Sequence, residues 1–286
     1  MREHISRVMW RLYEPIHSVV YFQRDATERY REIGLKGGWM SYFASRSAAL
    51  GTPSPEVVEA VFYHFAPSLV RRAIPSAWQL ANPELILQIR HDIAYDAISR
   101  GIDTALDTAS LMQLAEEILD VAANLPISGR TLYAAHLGID WGRSSALRLF
   151  GASTLLREHR GDTHNSALAA HGIDGIQSHL LQVAAGAVTH EVIFPTRGWS
   201  PDAWNDGFER LASNGLLSAR STPEEPILTE LGHNIKQRIE SQTDEQSNPW
   251  SDLDDRRLQR LEEGLRIASA HVKQYVGFPA ANPIGV

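Results

Sequence analysis

The chain has 286 residues, 43% hydrophobic and 21% charged, with a formal net charge of −7 and no cysteine. That balance belongs to a globular protein of one large domain or two modest ones and excludes disorder as the default state. It also excludes disulfides, thiolate nucleophiles and thiolate metal sites, and the acidic total argues against a protein that coats polyphosphate.

No apolar run approaches the ~20 residues that span a bilayer, and Met1-Arg2-Glu3-His4 lacks the layout of a secretory signal, so a cytoplasmic setting is expected. A first helix is predicted over 3 to 13. From Pro15 a second helical block sets His17 and Tyr21 four apart on one face, with Glu14 at its cap. Asp25 with Glu28 reads as a capping-box variant opening a helix to Ile33, with Gly34 as its stop. Helices follow over 38 to 50, 56 to 72, 84 to 100, 110 to 123, 129 to 137, 144 to 159, 163 to 171, 174 to 186, 201 to 214, 229 to 246 and 254 to 275. Three share one start, Ser54-Pro55-Glu56, Asn82-Pro83-Glu84 and Ser200-Pro201-Asp202: a capping side chain, a proline at the first helical position and an acid in the first turn.

Strand signals are confined to Leu216–Arg220 and Pro226–Thr229, which flank a polar tip and read as a two-stranded wing. A helix to Asn214, a wing and a long helix from Leu228 resemble, in that order, the winged helix of MarR-type regulators. Gly38–Ala44 followed by Phe65–Arg71 parallels Gly129–Ala135 followed by Phe150–Arg157, suggesting duplicated helical units. The expected fold is therefore mainly α. An N-terminal helical domain is expected over 1–110, and a degenerate MarR-like winged helix with a C-terminal helix over 111–286. The blocks Glu14–Phe22, Tyr42–Gly51, Leu155–His164, Arg197–Ser200 and Glu240–Asp244 together resemble an actinobacterial helix-turn-helix family of unassigned function. That resemblance implies the winged-helix fold and a bacterial setting, with no activity to transfer.

The Leu155–His164 run is the most charged stretch between apolar neighbours. On a helix Arg157, Arg160 and His164 share one face and Glu158 and Asp162 the next. Two readings stay open: an ion-pair hub, or a site in which Arg157 and Arg160 clamp an anion while a histidine or carboxylate moves a proton. In the second, His164 or His17 is the catalytic base or acid, Glu14 or Asp162 orients it, and Tyr21, Tyr42, Arg46 and His159 line the ligand site. The stripe of Tyr42, Ser45, Arg46 and Ala49 fits a cavity wall or close helix packing equally, and Trp39, Trp78, Trp199 and Trp204 are core or lid residues. A metal at His159, Asp162 and His164 has no supporting ligand spacing, and without a Gly-rich dinucleotide loop or P-loop no cofactor is expected.

The expected function is a small-molecule-binding protein or cofactor-independent enzyme acting on an anionic substrate by elimination, cyclisation or hydrolysis. The alternative is a MarR-like ligand-responsive regulator. Duplex binding is disfavoured because Asp202, Asp206 and Glu209 face Arg210 alone on the recognition helix, with Glu224 and Glu225 at the wing tip. The stripe Leu261, Leu265, Ala268 and Val272 calls for a partner helix, here expected in a homodimer or heteromer.

Overall fold

The computed structural model describes residues 3–103, 105–279 and 282. Met9, Tyr13, Ile16 and Val20 recur at helical spacing, and the helix they dictate, α1 (Ile5–Phe22), buries all four. Pro15 sits inside it rather than at a start. Glu14 is accordingly no cap but a mid-helix residue whose carboxylate is available to side chains. Asp25 does not cap α2 (Ala26–Glu32) either; its carboxylate accepts from Arg29 Nε at 2.8 Å.

Helix α3 (Gly37–Ser47) closes with a 3₁₀ turn over Ala48–Leu50. The helix predicted over 56 to 72 is split into α4 (Pro55–Val61) and α5 (Pro67–Arg71), because Pro67 can begin a helix but not continue one. A short α6 (Ser76–Leu80) precedes α7 (Pro83–Ile102), where Asn82 Oδ1 accepts from Leu85 N as its start motif requires. Then come α8 (Thr108–Ala123), α9 (Thr131–Leu137) and the 26-residue α10 (Ser145–Ala170), which runs straight through the break expected near residue 160. The two echoing blocks are thus built differently: Phe65–Arg71 spans the short α5, whereas Phe150–Arg157 is the middle of α10.

Helices α11 (Gly175–Ala184), α12 (His190–Ile193), α13 (Pro201–Ser213), α14 (Glu230–Gln246) and α15 (Asp255–Val276) complete the chain. Between α13 and α14 the predicted wing is reduced to one antiparallel bridge, Leu217 to Leu228, with Ser218 N donating to Ile227 O and Thr229 N to Leu216 O. Among the described residues no further strand pairing forms. Beyond that bridge the tip turns back through Ser221 and Thr222, whose hydroxyls take over the backbone bonds a ladder would make.

Two apolar cores result. The larger joins α1, α3, α7, α8, the first half of α10 and α15; the smaller joins the last turns of α10 with α11, α13 and the bridge. The larger core runs across residue 110 and takes in both α1 and α15. The α15 stripe expected to seek a partner is covered within the chain, against α1, α7 and α8. No helix among the described residues is long and apolar enough to cross a membrane.

Candidate functional site

At 100° per residue, the middle turns of α10 present Arg157, Arg160, Gly161 and His164 on one side, Glu158 and Asp162 on the next, and His159 opposite. The first six line a cavity of about 510 Å³ where α1, α3, α10, α11 and α14 approach one another. Gly161 lies against this pair, and a Cβ there would make ordinary contacts with Arg157 Nη1 at 3.6 Å and Glu158 Oε2 at 4.0 Å.

On the α3 side Arg46 holds the fully buried Glu158 in a bidentate pair, Nε to Oε1 at 3.1 Å and Nη2 to Oε2 at 2.8 Å, and its remaining Nη1 donates to Tyr42 OH at 2.9 Å. Burial works to raise the Glu158 carboxyl, but Arg157 and Arg46 outweigh it and hold the group well below the usual range. Arg157 donates Nη1 to Glu158 Oε2 at 2.8 Å, and its Nε lies 3.5 Å from Glu14 Oε1. Its Nη2 makes no hydrogen bond to any described residue and is not sealed from solvent. Glu14 also accepts from Trp10 Nε1 at 3.1 Å.

One turn further, Arg160 is finished. Its Nη2 meets Asp244 Oδ1 at 2.6 Å and its Nη1 reaches Ser247 Oγ at 3.0 Å and Ser6 Oγ at 3.4 Å. Asp244 also accepts from Arg7, which extends to Glu240, itself 3.2 Å from Lys236 Nζ. Arg160 therefore ties α10 to α14 and α1. As an anion clamp it has little to offer, because both amino groups are engaged.

Three histidines complete the wall. His64 stacks on His164 with ring centres 6.0 Å apart and tilts against His179 at 5.4 Å. Thr243 gives its hydroxyl proton to Ile239 O, so it must accept from His164 Nδ1 at 3.1 Å, which leaves the lone pair on Nε2. Burial lowers His164, holds His64 well below its ordinary value and takes His179 to about 3, so the wall is uncharged imidazole near neutrality. Asp162 moves the other way. Burial raises it to about 7, against the opposing pull of Tyr133 N, which donates to Oδ2 at 3.0 Å. Among the described residues no group of histidines and carboxylates is arranged to hold a metal ion.

Seven arginines and lysines line the cavity against four carboxylates. Behind the wall, Glu3 pairs with Arg11 and Asp244 with Arg7 and Arg160, which leaves one cation in excess on a chain whose total is −7. Burial lowers Arg197 to about 10, with Arg46 and Arg157 acting in the same sense and Tyr42 against them.

The structure does not bring every expected site residue here. His17 is fully buried away from this wall. Arg90 donates to Tyr21 OH at 3.0 Å, so the tyrosine proton goes to His17 Nε2 at 3.2 Å, and His17 Nδ1 serves Thr154 at 3.0 Å. With both nitrogens occupied, His17 has no proton to exchange with a cavity ligand. Tyr21 faces a second space, and His159 packs edge-on against Tyr133 on the far side of α10. Conversely Glu158, His64, His179 and Arg197 escaped the list of candidates. Arg197 lies in one of the resembling blocks, whereas nothing in the mixed polar and apolar run Ile176–Val183 sets His179 apart.

On α13, Asp202, Asp206 and Glu209 are exposed, and Arg210 is paired with Asp174. No curated protein and no solved structure matches the chain at a significant level. The sequence pattern of one family does, over residues 6–279. That match covers both cores and every wall of the cavity, and by it the chain belongs to the helix-turn-helix family.

Proposed function

We propose that the protein binds a small anionic molecule in the α10 cavity, on a helix-turn-helix scaffold that reads as a degenerate, MarR-like winged helix. The observation that carries this is Arg157, which lines the cavity with an Nη2 that has no hydrogen-bond partner among the described residues, while both amino groups of its neighbours Arg46 and Arg160 are engaged. A guanidinium edge beside an excess positive wall and aromatic side chains suits a carboxylate on an apolar body. Isothermal titration with a panel of carboxylates, sulfate and phosphate tests it. Saturable binding that Arg157→Gln weakens about tenfold or more is expected; a panel that gives neither heat nor thermal shift overturns the reading.

A second reading rests on Asp162 and His164. An acid near 7 and a neutral imidazole lining one cavity favour proton transfer on the bound anion, in a reaction needing no redox cofactor. An Asp162-dependent turnover of a bound acid supports that reading; binding without turnover leaves a sensor or carrier. A DNA-binding regulator is disfavoured by the exposed acids of α13, since duplex affinity comes mainly from phosphate neutralisation. Salt-resistant binding of an operator-like fragment would restore it.

A further inference from the structure

Beside the first cavity lies a second of about 400 Å³, enclosed by α1, α2 and α3. Its wall carries the rings of Tyr21, Phe22, Tyr30, Trp39, Tyr42 and Phe65. The hydroxyls of Ser41 and Ser45 turn back to their own helix, onto Gly37 O at 3.0 Å and Tyr42 O at 3.3 Å, so they add little polarity. One polar group is left over. Tyr30 is 3% exposed, and its hydroxyl lies near Ser45 and Arg90 without completing a hydrogen bond of ordinary geometry to either. Arg90, also buried, ion-pairs with no carboxylate among the described residues.

The two cavities share Tyr42, Phe65 and Arg197 as a common wall. Both rings are held by other aromatics, Tyr42 against Tyr21, Phe43 and Phe62 and Phe65 against Tyr42, Phe43 and Phe62. Passage from one cavity to the other therefore requires these two side chains to turn. Trp39, 37% exposed, packs edge-on against both at 5.7 Å and closes the outer side.

We infer that the two cavities are the head and tail chambers of one site for an aryl carboxylic acid. Its carboxylate meets Arg157, its ring stacks among the second chamber's aromatics, and a phenolic hydroxyl at the far end completes Tyr30. The inference rests on the anion-binding reading and extends it from charge to shape. A planar ring is favoured over an alkyl tail because six aromatic faces offer offset and edge-on contacts that an alkyl chain does not match. The terminal hydroxyl is favoured because a buried, unpaired Tyr30 is costly until something pairs with it.

The test is a titration series on the full chain: acetate as the head alone, then ω-(4-hydroxyphenyl)alkanoates of increasing chain length, each also without its hydroxyl and with cyclohexyl in place of phenyl. Gly38 gives the blocking variant. It lines the second cavity, and a Cβ built on it meets nothing within 4 Å, so the backbone has room for a Phe side chain at the edge of the tail chamber. The expected result is an affinity step of about tenfold or more once the chain is long enough for the ring to pass Tyr42 and Phe65. Gly38→Phe removes that step and leaves the short members unchanged, and Tyr30→Phe removes the gain from the hydroxyl. If affinity is flat with chain length, or the step survives Gly38→Phe, the tail chamber is wrong while the Arg157 site stands. A cyclohexyl tail binding as well as phenyl overturns the aryl class, and binding of no member overturns the anion reading itself. A melting temperature for Gly38→Phe within a few degrees of the parent shows that the blocker folds; should it not, Ser41→Leu, on the same wall, blocks in its place.

Discussion

Arg157 and Arg160 stand three residues apart on one helix, both on acidic partners, and the structure treats them oppositely. Arg160 is engaged at both amino groups: Asp244, Ser247 and Ser6 take them, and a neighbouring arginine and glutamate extend the pairing. Arg157 is half-closed, since Glu158 is already held in both oxygens by Arg46 and Glu14 stands off at 3.5 Å. A buried cation with both amino groups engaged is a strut, and one left with a free amino group beside a cavity is a receptor. The difference lies in the number of acceptors that neighbouring helices bring to each, which no count of charges in the α10 segment contains.

The contrast can be broken from its most buried member outward. Glu158→Ala removes the acceptor shared by Arg46 and Arg157 and leaves Arg46 buried without a counter-charge; a loss of about 3–5 kcal/mol is expected by denaturant titration. A loss below about 1 kcal/mol would show that water reaches Arg46. Arg160→Gln comes next, at about 3 kcal/mol, because Asp244 keeps only Arg7. It should leave carboxylate binding intact, and lost binding at full stability would reverse the roles assigned to the two arginines.

Asp162→Asn sharpens the comparison through pH. Asp162 is raised to about 7 in the fold, against about 3.9 in an unfolded chain. The fold therefore keeps its proton over that interval, and the stability this group contributes, complete below about 3.9, is lost as pH rises through about 7. Relative to the parent, the asparagine variant should gain about 2–3 kcal/mol between pH 5 and pH 8. The buried histidines act on both proteins alike and cancel in the difference. A difference independent of pH would place Asp162 outside the cavity's proton chemistry. The smallest stability effect belongs to Arg157→Gln, about 1 kcal/mol, since Glu158 retains Arg46 and Glu14, already 3.5 Å from Arg157, retains its bond from Trp10 Nε1. Its consequence is lost anion affinity, and a large loss of stability with binding preserved would make Arg157 the strut.

Helix positions were largely legible in the residues because capping chemistry is local: Asn82 and Ser200 cap α7 and α13 as their sequences require. The single length of α10 was not, since Gly161 followed by Asp162 imitates a stop. The wing was overread because Leu217 and Leu228 pair while the tip between them folds on its own hydroxyls. Within the site, the face shared by Arg157, Arg160 and His164 follows from helical periodicity alone. Their partners do not: Glu158 meets Arg46 across 112 positions and Arg160 meets Asp244 across 84. Likewise His17 carries the residue type and spacing of an acid–base group, and only its partners, Tyr21 as donor and Thr154 as acceptor, show that it is saturated.

Helix α10 begins among the apolar residues of the larger core and ends among those of the smaller, about 39 Å away at 1.5 Å per residue. A helix interrupted by a loop would let each core melt on its own schedule. An uninterrupted one makes them mechanical neighbours, because unwinding the last turns of α10 removes the floor of the smaller core and frays the turns carrying Arg157 and Arg160. Two cores strung on one rod should therefore melt as one cooperative unit, and whatever occupies the middle of the rod holds both ends in register.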